Sequence, residues 1–414
     1  MKENILHQLD QPAELEKLYR KNKAAFKQEF NELYPEIKGQ NSAEFWHERL
    51  NYESDQINWG SLKEWQFVII GALIAGILAK FPAIFSINEE LFYPRNLSFV
   101  VFPFVIAYFA WKNQVSQKFS LAMAGIILVS AIYINLLPDN SESDTLILAC
   151  IHLPLLLWAT LGAAFSGEQF KVLSKRLAYL RFNGDAVVMG VILGLSGLLM
   201  SGLTVGLFNL IGLSIEKFYF EWIGVFGIAA APLVATHLTQ TNPQLVNKVS
   251  PVIAKIFSPL VLVMLVIYLG AIVYSGKDPY NDREFLLLFN MLLIGVMALV
   301  FFSVAETSKN EKTGPGIYIL LLLALVTILV NGVALSAIAF RISEWGITPN
   351  RMAVLGVNVL MLIHLLMVAQ KLFQAVRKSV EIEEVGKTIA KYLPMYMIWT
   401  AIVVFLFPVI FGFE

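Results

Sequence analysis

The sequence predicts an all-α protein, a polytopic bundle of about eleven transmembrane helices preceded by a small helical segment. Hydrophobic residues make up 57% of the 414 residues and charged residues only 15%, whereas a typical globular chain is about a quarter charged. The charges are dense before residue 65 and sparse after it. Beyond that point apolar runs of about twenty residues alternate with short polar connections. A helix of about that length crosses the hydrocarbon core of a bilayer.

The apolar runs are predicted to be helices rather than strands. Lipid offers no hydrogen-bonding partner to backbone groups, so a spanning segment must satisfy them internally. Transmembrane strands alternate in polarity, and these runs do not. The predicted spans are residues 65–85, 97–111, 119–137, 145–165, 186–212, 218–238, 253–274, 284–304, 317–340, 351–370 and 394–413.

Residues 1–64 are predicted to form a cytoplasmic helical head, and residues 65–414 the transmembrane domain. The head is hydrophilic, with nine basic and twelve acidic residues, so no cleavable signal peptide is expected. Ser61 and Glu64 have the spacing of a capping box directly before the first span. Because so short a segment buries little apolar surface alone, we expect two or three helices that rest on the cytoplasmic face of the membrane domain.

Basic residues in the loops predict the orientation of the chain. One set of alternate loops carries fifteen lysines and arginines, and the other set carries six. Loops rich in these residues face the cytoplasm. The first set lies on the same side as the head, so the N-terminus is predicted to be cytoplasmic. With eleven spans, the C-terminus is then outside.

Two cytoplasmic connections, near residues 169–182 and 372–393, are predicted to be interfacial helices. The second has apolar residues at helical spacing opposite a charged face, which is typical of a helix lying along the headgroups. The first is basic and favours anionic lipid. A linker that shields the underside of the bundle is the simpler interpretation, and a regulatory or partner-docking role is the alternative.

Polar side chains inside the spans are the candidates for a binding site, because they are costly to place in hydrocarbon. No Asp or Glu lies in the middle of a predicted span, which weakens the hypothesis of a proton- or sodium-coupled transporter. The outer halves of five spans carry one polar group each and could line an outward-facing cavity. Interhelical hydrogen bonding, worth about 0.6–2 kcal/mol for each pair, is the simpler interpretation. These groups are His152, Asn209, Asn290, Asn331 and Asn358.

His364, six residues after Asn358, is a further intramembrane polar group nearer the cytoplasmic side. Six residues correspond to roughly 240° around a helix, so these two side chains are not expected to face the same pocket.

The outer turn at residues 341–351 adds Glu344 and Arg351 to the candidates. Thr348 is a good N-cap and Pro349 a good first helical residue. A rigid capped turn explains these residues, and an outward-facing turn that binds a ligand or partner is the alternative.

The fifth span contains the pairs Gly190/Gly194 and Gly202/Gly206. Small residues four apart permit close contact between transmembrane helices. Structural packing is therefore favoured, and a flexible or broken helix at a substrate site is the alternative.

No enzyme signature occurs in the sequence: there is no phosphate-binding glycine loop, no zinc-protease motif and no nucleophile elbow. We therefore expect no catalytic residue, no cofactor and no metal site. The net charge of zero predicts no nucleic-acid partner, and the single cysteine, Cys150, cannot form an internal disulfide. The leading interpretation is a permease-like protein that binds or moves a small solute or a lipid-like molecule. A non-transporting scaffold or sensor that docks envelope partners is the rival, and a membrane-embedded enzyme acting on lipid is a weaker third.

Three segments resemble one known family. They are RISEWGITPNR at residues 341–351, EFWHERLNYESDQINWGS in the head, and YLPMYMIWTAIVVFLFPVIFGF from Tyr392 onward. These segments are similar to the domain-of-unknown-function 4153 family of bacterial membrane proteins, and in particular to its Bacteroidetes-type members. The resemblance implies a multi-spanning protein of the bacterial inner membrane with no established activity, so it supplies no catalytic residues.

The predicted orientation can be tested with single cysteines. In a Cys150→Ser background, a cysteine at Asp139 should react with a membrane-impermeant thiol reagent added to spheroplasts, because its loop is predicted to be outside. A cysteine at Lys118 should react only after the membrane is opened. Labelling of the Lys118 position in intact spheroplasts would contradict the orientation.

Overall fold

The computed structural model describes residues 2–51, 58–140, 142–210, 213–246, 249–275, 280, 283–307 and 315–414. These residues form helices and connections, with no strand among them, which confirms the all-α fold class. The chain divides into two compact units, Met1–Asn58 and Trp59–Glu414. The boundary thus lies six residues before the one predicted from the sequence, because Trp59 is bonded to side chains of the membrane unit.

The head unit has four helices: α1 Lys2–His7, α2 Pro12–Lys21, α3 Lys23–Ile37 and α4 Asn41–Asn51. Unlike the expectation for so short a segment, these helices enclose a core of their own. Phe26 and Phe30 are fully buried there, and the ring of Trp46 packs against Phe26. Arg49 covers the Trp46 ring and pairs with Glu16 at 2.9 Å. Aromatic side chains bury a large area for each residue, which explains a core in so small a unit.

Besides a short 3₁₀ turn at Pro243–Leu245, the described part of the membrane unit contains twelve further helices. They are α5 Leu62–Ala79, α6 Phe81–Phe85, α7 Glu89–Lys112, α8 Gln117–Leu136, α9 Asp144–Ser166, α10 Leu173–Leu210, α11 Glu216–Thr241, α12 Val249–Ser275, α13 Arg283–Thr307, α14 Pro315–Trp345, α15 Pro349–Val376 and α16 Ile382–Ile410. A π-helical stretch interrupts α11 at Tyr219–Gly224 and α16 at Ile402–Leu406.

Over the described residues, ten helices are long and apolar enough to cross a membrane, namely all of these except α6 and α12. Helix α12 coincides with the predicted span 253–274, and its shorter stretch Ile256–Ile267 is apolar. Each predicted span therefore falls on a helix, except that the first is divided between α5 and α6 at Lys80. The chain is a multi-spanning membrane protein.

The two predicted interfacial helices are not separate elements. Helix α10 runs without a break through most of residues 169–182 and on to Leu210, because no proline interrupts it and the polar stretch is as compatible with a helix as the apolar one. Residues 372–393 are divided instead. Their first part ends α15 at Val376 and their last part begins α16 at Ile382, across a turn in which Lys378 has a φ of 57°.

The membrane helices enclose two main hydrophobic cores. One surrounds Tyr108 and Phe109 of α7 and includes residues of α5, α9, α10 and α11. The other surrounds Val300 of α13, Leu323 of α14 and Leu365 of α15, and includes residues of α12 and α16. Helices α9 and α10 pack against helices of both cores and so connect the two cores.

Close approach between helices occurs at glycines other than the predicted ones. A Cβ added at Gly190, Gly194, Gly202 or Gly206 would meet no described atom within 4 Å. Where α10 does approach a neighbour, the ring of Phe302 lies directly against the backbone of Gly184. The predicted small-residue pairs of α10 therefore do not pack against the described residues.

Arginine side chains of α10 donate hydrogen bonds to backbone carbonyls of two neighbouring helices. Pro394 in α16 has no N–H, so the carbonyl of Ala390 one turn earlier lacks its usual helical donor. The guanidinium of Arg176 on α10 donates to that oxygen at 3.0 Å. Arg181 likewise donates to the carbonyl of Ala305 near the end of α13. These bonds hold α10 against α16 and α13.

We expect Arg176→Leu to lower the free energy of unfolding by about 1–3 kcal/mol, because it leaves the Ala390 carbonyl buried without a donor. Pro394→Ala restores a backbone N–H to that carbonyl, so Arg176→Leu should cost less in the Pro394→Ala background. A double-mutant cycle of unfolding in detergent measures the difference. Strictly additive costs would show that Arg176 does not compensate for the proline.

Candidate functional site

Two of the predicted candidates contact each other in the second core. Nδ2 of Asn358 on α15 donates to Oδ1 of Asn290 on α13 at 2.7 Å. Asn358 is fully buried, and its own Oδ1 has no described hydrogen-bond partner. This amide pair is an interhelical hydrogen bond, as the interpretation of these residues as packing contacts expects. It nevertheless leaves Oδ1 of Asn358 without a described donor.

Asn331 and His364 lie at the same depth in the hairpin formed by α14 and α15. Asn331 precedes the end of α14 by fourteen residues, and His364 follows the start of α15 by fifteen, so each lies roughly 21–23 Å from the turn. Both side chains are 0% exposed. Asn331 has no described hydrogen-bond partner at either Oδ1 or Nδ2, and His364 has none at Nε2.

Aromatic rings surround His364. Its Nδ1 shares a hydrogen bond of 3.1 Å with the hydroxyl of Tyr396 on α16. The imidazole centroid lies 4.5 Å from the rings of Phe301 on α13 and Tyr392 on α16. His364 and Asn358 thus have different partners on the surrounding helices. The two tyrosines were missed in the sequence, because a tyrosine in an apolar run has no local mark that distinguishes a site from ordinary packing.

The indole N–H of Trp399, three residues after Tyr396, is a further polar group without a described partner. A Cβ on Gly356 would collide with the indole, including the carbon bonded to Nε1. The glycine therefore lets the indole lie against α15 within about one turn of Asn358. We call the following residues the hairpin cluster: Asn290, Asn331, Asn358, His364, Tyr396 and Trp399.

The hairpin cluster offers hydrogen-bond donors and acceptors but no acid, lysine or arginine. Buried polar groups are nearly always paired, so several unpaired groups in one region of the bundle indicate a place for water or a ligand. Asn331, Asn358 and His364 are fully buried, so they are enclosed in this conformation and do not line an open outward-facing cavity.

The other predicted candidates lie elsewhere. His152 bonds within its own helix, with Nδ1 2.9 Å from the carbonyl oxygen of Leu148. Arg351 donates to the carbonyls of Trp345 and Gly346 at 2.8 and 2.7 Å, and so closes the turn between α14 and α15. Glu344 is exposed. Neither His152 nor Arg351 contributes to the hairpin cluster.

A second polar cluster was not predicted as a unit. Glu64 Oε1 on α5 lies 3.4 Å from Lys112 Nζ on α7. Lys112 donates to the hydroxyl of Tyr108 at 3.2 Å, and that oxygen lies 3.1 Å from Nδ1 of His237 on α11. Nε2 of His237 lies 3.2 Å from the carbonyl oxygen of Trp59. We call these five residues the edge relay.

The edge relay has a consistent direction of donation. A carbonyl oxygen only accepts, so Nε2 of His237 donates to Trp59, and the Nδ1 of a neutral imidazole then accepts from Tyr108. Glu64 also completes the capping box with Ser61, which confirms the predicted cap. The relay ties α5, α7 and α11 together. The i, i+4 spacing of Tyr108 and Lys112 was visible in the sequence, but their partners on other helices were not.

Comparison with known proteins returned nothing: no protein-family model, no curated protein and no solved structure matches this chain. The resemblance of residues 341–351 to the domain-of-unknown-function 4153 family therefore stays a prediction. Among the described residues, no group of three or more His, Cys, Asp or Glu side chains could hold a metal ion.

We expect Lys112→Met to lower the free energy of unfolding by about 1–3 kcal/mol, because it leaves the Glu64 carboxylate without its cation. This is less than for a fully buried pair, since the Lys112 and Glu64 side chains are 25% and 19% exposed. Adding Glu64→Gln should recover part of the loss in a double-mutant cycle in detergent. Lys63→Met, on the exposed side of α5, is the control and should change little. A Lys112→Met cost that Glu64→Gln leaves unchanged would show that the two charges are not coupled.

Proposed function

We propose that this membrane protein is permease-like, and that it binds and moves a small solute at the hairpin cluster. One observation carries the proposal: Asn331, Asn358, His364 and Trp399 each have a buried polar atom with no partner among the described residues. Asn331 and His364 lie at one depth, and Asn358 lies about 9 Å nearer the outer turn, so these groups follow one another along the hairpin rather than face a single pocket. Within a membrane an unsatisfied polar group costs several kcal/mol. A solute that supplies these hydrogen bonds would offset this cost, which packing against apolar side chains does not.

The contacts of the hairpin suggest how a solute reaches the cluster. Three of the cluster's side chains are fully buried, so binding requires the helices around them to separate. The α14–α15 hairpin packs along α13 and α16, and its turn is closed by Arg351. Rocking of such a hairpin against its neighbours opens a central site to one side of a membrane and then to the other.

A non-transporting scaffold or sensor is the second candidate. The observation that favours it is the head, whose four helices have a core of their own built around Phe26, Phe30 and Trp46. A separately folded head offers a surface for an envelope partner. Both candidates place the protein in a bacterial inner membrane with a cytoplasmic head.

Thermal unfolding in detergent with a panel of small solutes separates the candidates. We expect at least one solute to raise the Tm of the protein, since a ligand at 100 times its Kd stabilises the native state by about 2.7 kcal/mol. Asn331→Leu should raise the Tm without solute, because it removes a buried amide that has no described partner. Asn358→Leu also breaks the bond to Asn290, so it should not raise the Tm. Both variants should abolish the shift that the solute causes.

Asn209→Leu is the matched control. Asn209 is exposed and bonds to Glu216 outside the cluster, so this variant should keep the response to the solute. If no solute shifts the Tm of the wild-type protein, or if the cluster variants respond as the wild type does, the permease proposal is wrong and the scaffold takes its place.

A further inference from the structure

A long apolar groove of about 920 Å³ lies along α7 and α8. This volume is within the range of about 300–1,000 Å³ found for small-molecule sites. Its floor follows α7 from Phe99 to Gln114, a length of roughly 22 Å at 1.5 Å per residue. Small side chains on facing helices, such as Ala107 and Ala124, leave the space open. The groove is thus long and narrow, as an acyl chain is.

The lining of the groove is polar at one end only. Among the described lining residues, the polar groups are the side chains of Gln114 and Ser120 and the indole nitrogen of Trp111. Gln114 and Ser120 lie where α7 ends and α8 begins. Water finds no partners along the remaining length, and an apolar surface favours hydrocarbon. The occupant that fits is an amphipathic molecule with its polar group at the α7–α8 connection.

Both signs of charge are present at the polar end. Lys118 is exposed in the first turn of α8, where the helix N-terminus adds partial positive charge. Across the connection, Glu168 accepts a hydrogen bond of 2.6 Å from the backbone N–H of Ser116. Hydrogen bonds from the side chain and backbone of Ser116 hold the pKa of the Glu168 carboxyl below its usual range, so this group is ionised at neutral pH. The nearby Lys112 is already paired with Glu64.

We propose that this groove binds one phospholipid with an amine-bearing headgroup. The acyl chain lies along α7 and α8, the phosphate is near Lys118 and Ser120, and the ammonium is near Glu168. An anionic headgroup would satisfy Lys118 but would bring its net negative charge beside the ionised Glu168. The lipid site is independent of the proposed solute site, which lies among other helices.

Native mass spectrometry of the protein purified in mild detergent tests the groove. We expect one retained phosphatidylethanolamine. Ala124→Trp fills the groove and should reduce retention by about tenfold, a loss of about 1.4 kcal/mol in binding free energy. Ala122→Trp is the matched control, because Ala122 is exposed on the same helix but does not line the groove. Ala107→Trp repeats the test from the opposite wall.

Exchange with added lipid tests the headgroup. Wild-type protein in mixed vesicles should retain phosphatidylethanolamine over phosphatidylglycerol by about tenfold, and Glu168→Gln should remove this preference. Lys118→Gln should weaken retention of both lipids. Retention that is unchanged in Ala124→Trp and Ala107→Trp would overturn the groove as the site. A preference of the wild-type protein for phosphatidylglycerol would overturn the headgroup assignment.

Discussion

The membrane unit depends on one constraint: a helix in lipid must find every hydrogen-bond partner within the protein. At two places where a proline or a helix end frees carbonyls, a side chain from outside that helix donates to them. Arg176 donates to the Ala390 carbonyl that Pro394 leaves without a donor, and Asn113 donates to the last carbonyls of α9. Such bonds select neighbours in a way that hydrophobic contact alone does not, because lipid tails are as apolar as the helix surfaces they cover.

The same constraint distinguishes the two polar clusters. In the edge relay, Lys112, Tyr108 and His237 form a continuous chain of hydrogen-bond donors and acceptors. This chain and the Glu64 carboxylate connect α5, α7 and α11. In the hairpin cluster, Asn331 and His364 have polar atoms without a described partner, although their side chains are fully buried. A paired cluster is explained by the fold itself. A cluster with polar atoms that lack a described partner would be explained by a bound solute, and for this reason the function is proposed at the hairpin cluster.

The membrane unit also relates to lipid in two different ways. Outward side chains elsewhere on α8 meet the bilayer as a convex apolar surface, and Leu121 and Leu136 are examples. Between α7 and α8, small residues leave a concave strip instead. Lys118 and Glu168 do not line it but lie at the α7–α8 connection, next to its polar end. A bound lipid would fill this strip and cover the core around Tyr108, as a further helix would. The groups proposed to bind a solute lie instead in the core around Leu365.

The sequence by itself determined where the helices are, because the bilayer sets a length that each apolar run must match, and caps such as Ser61 and Thr348 act within three residues of their partners. It did not determine that α10 continues through the basic stretch before the span, since a polar and an apolar segment are equally compatible with one helix. The sequence also did not determine the hydrogen bond between Asn290 and Asn358, which are 68 residues apart. Only the tertiary structure decided these partners, because they depend on which helix faces meet, and that is a property of the packed bundle rather than of any local run of residues.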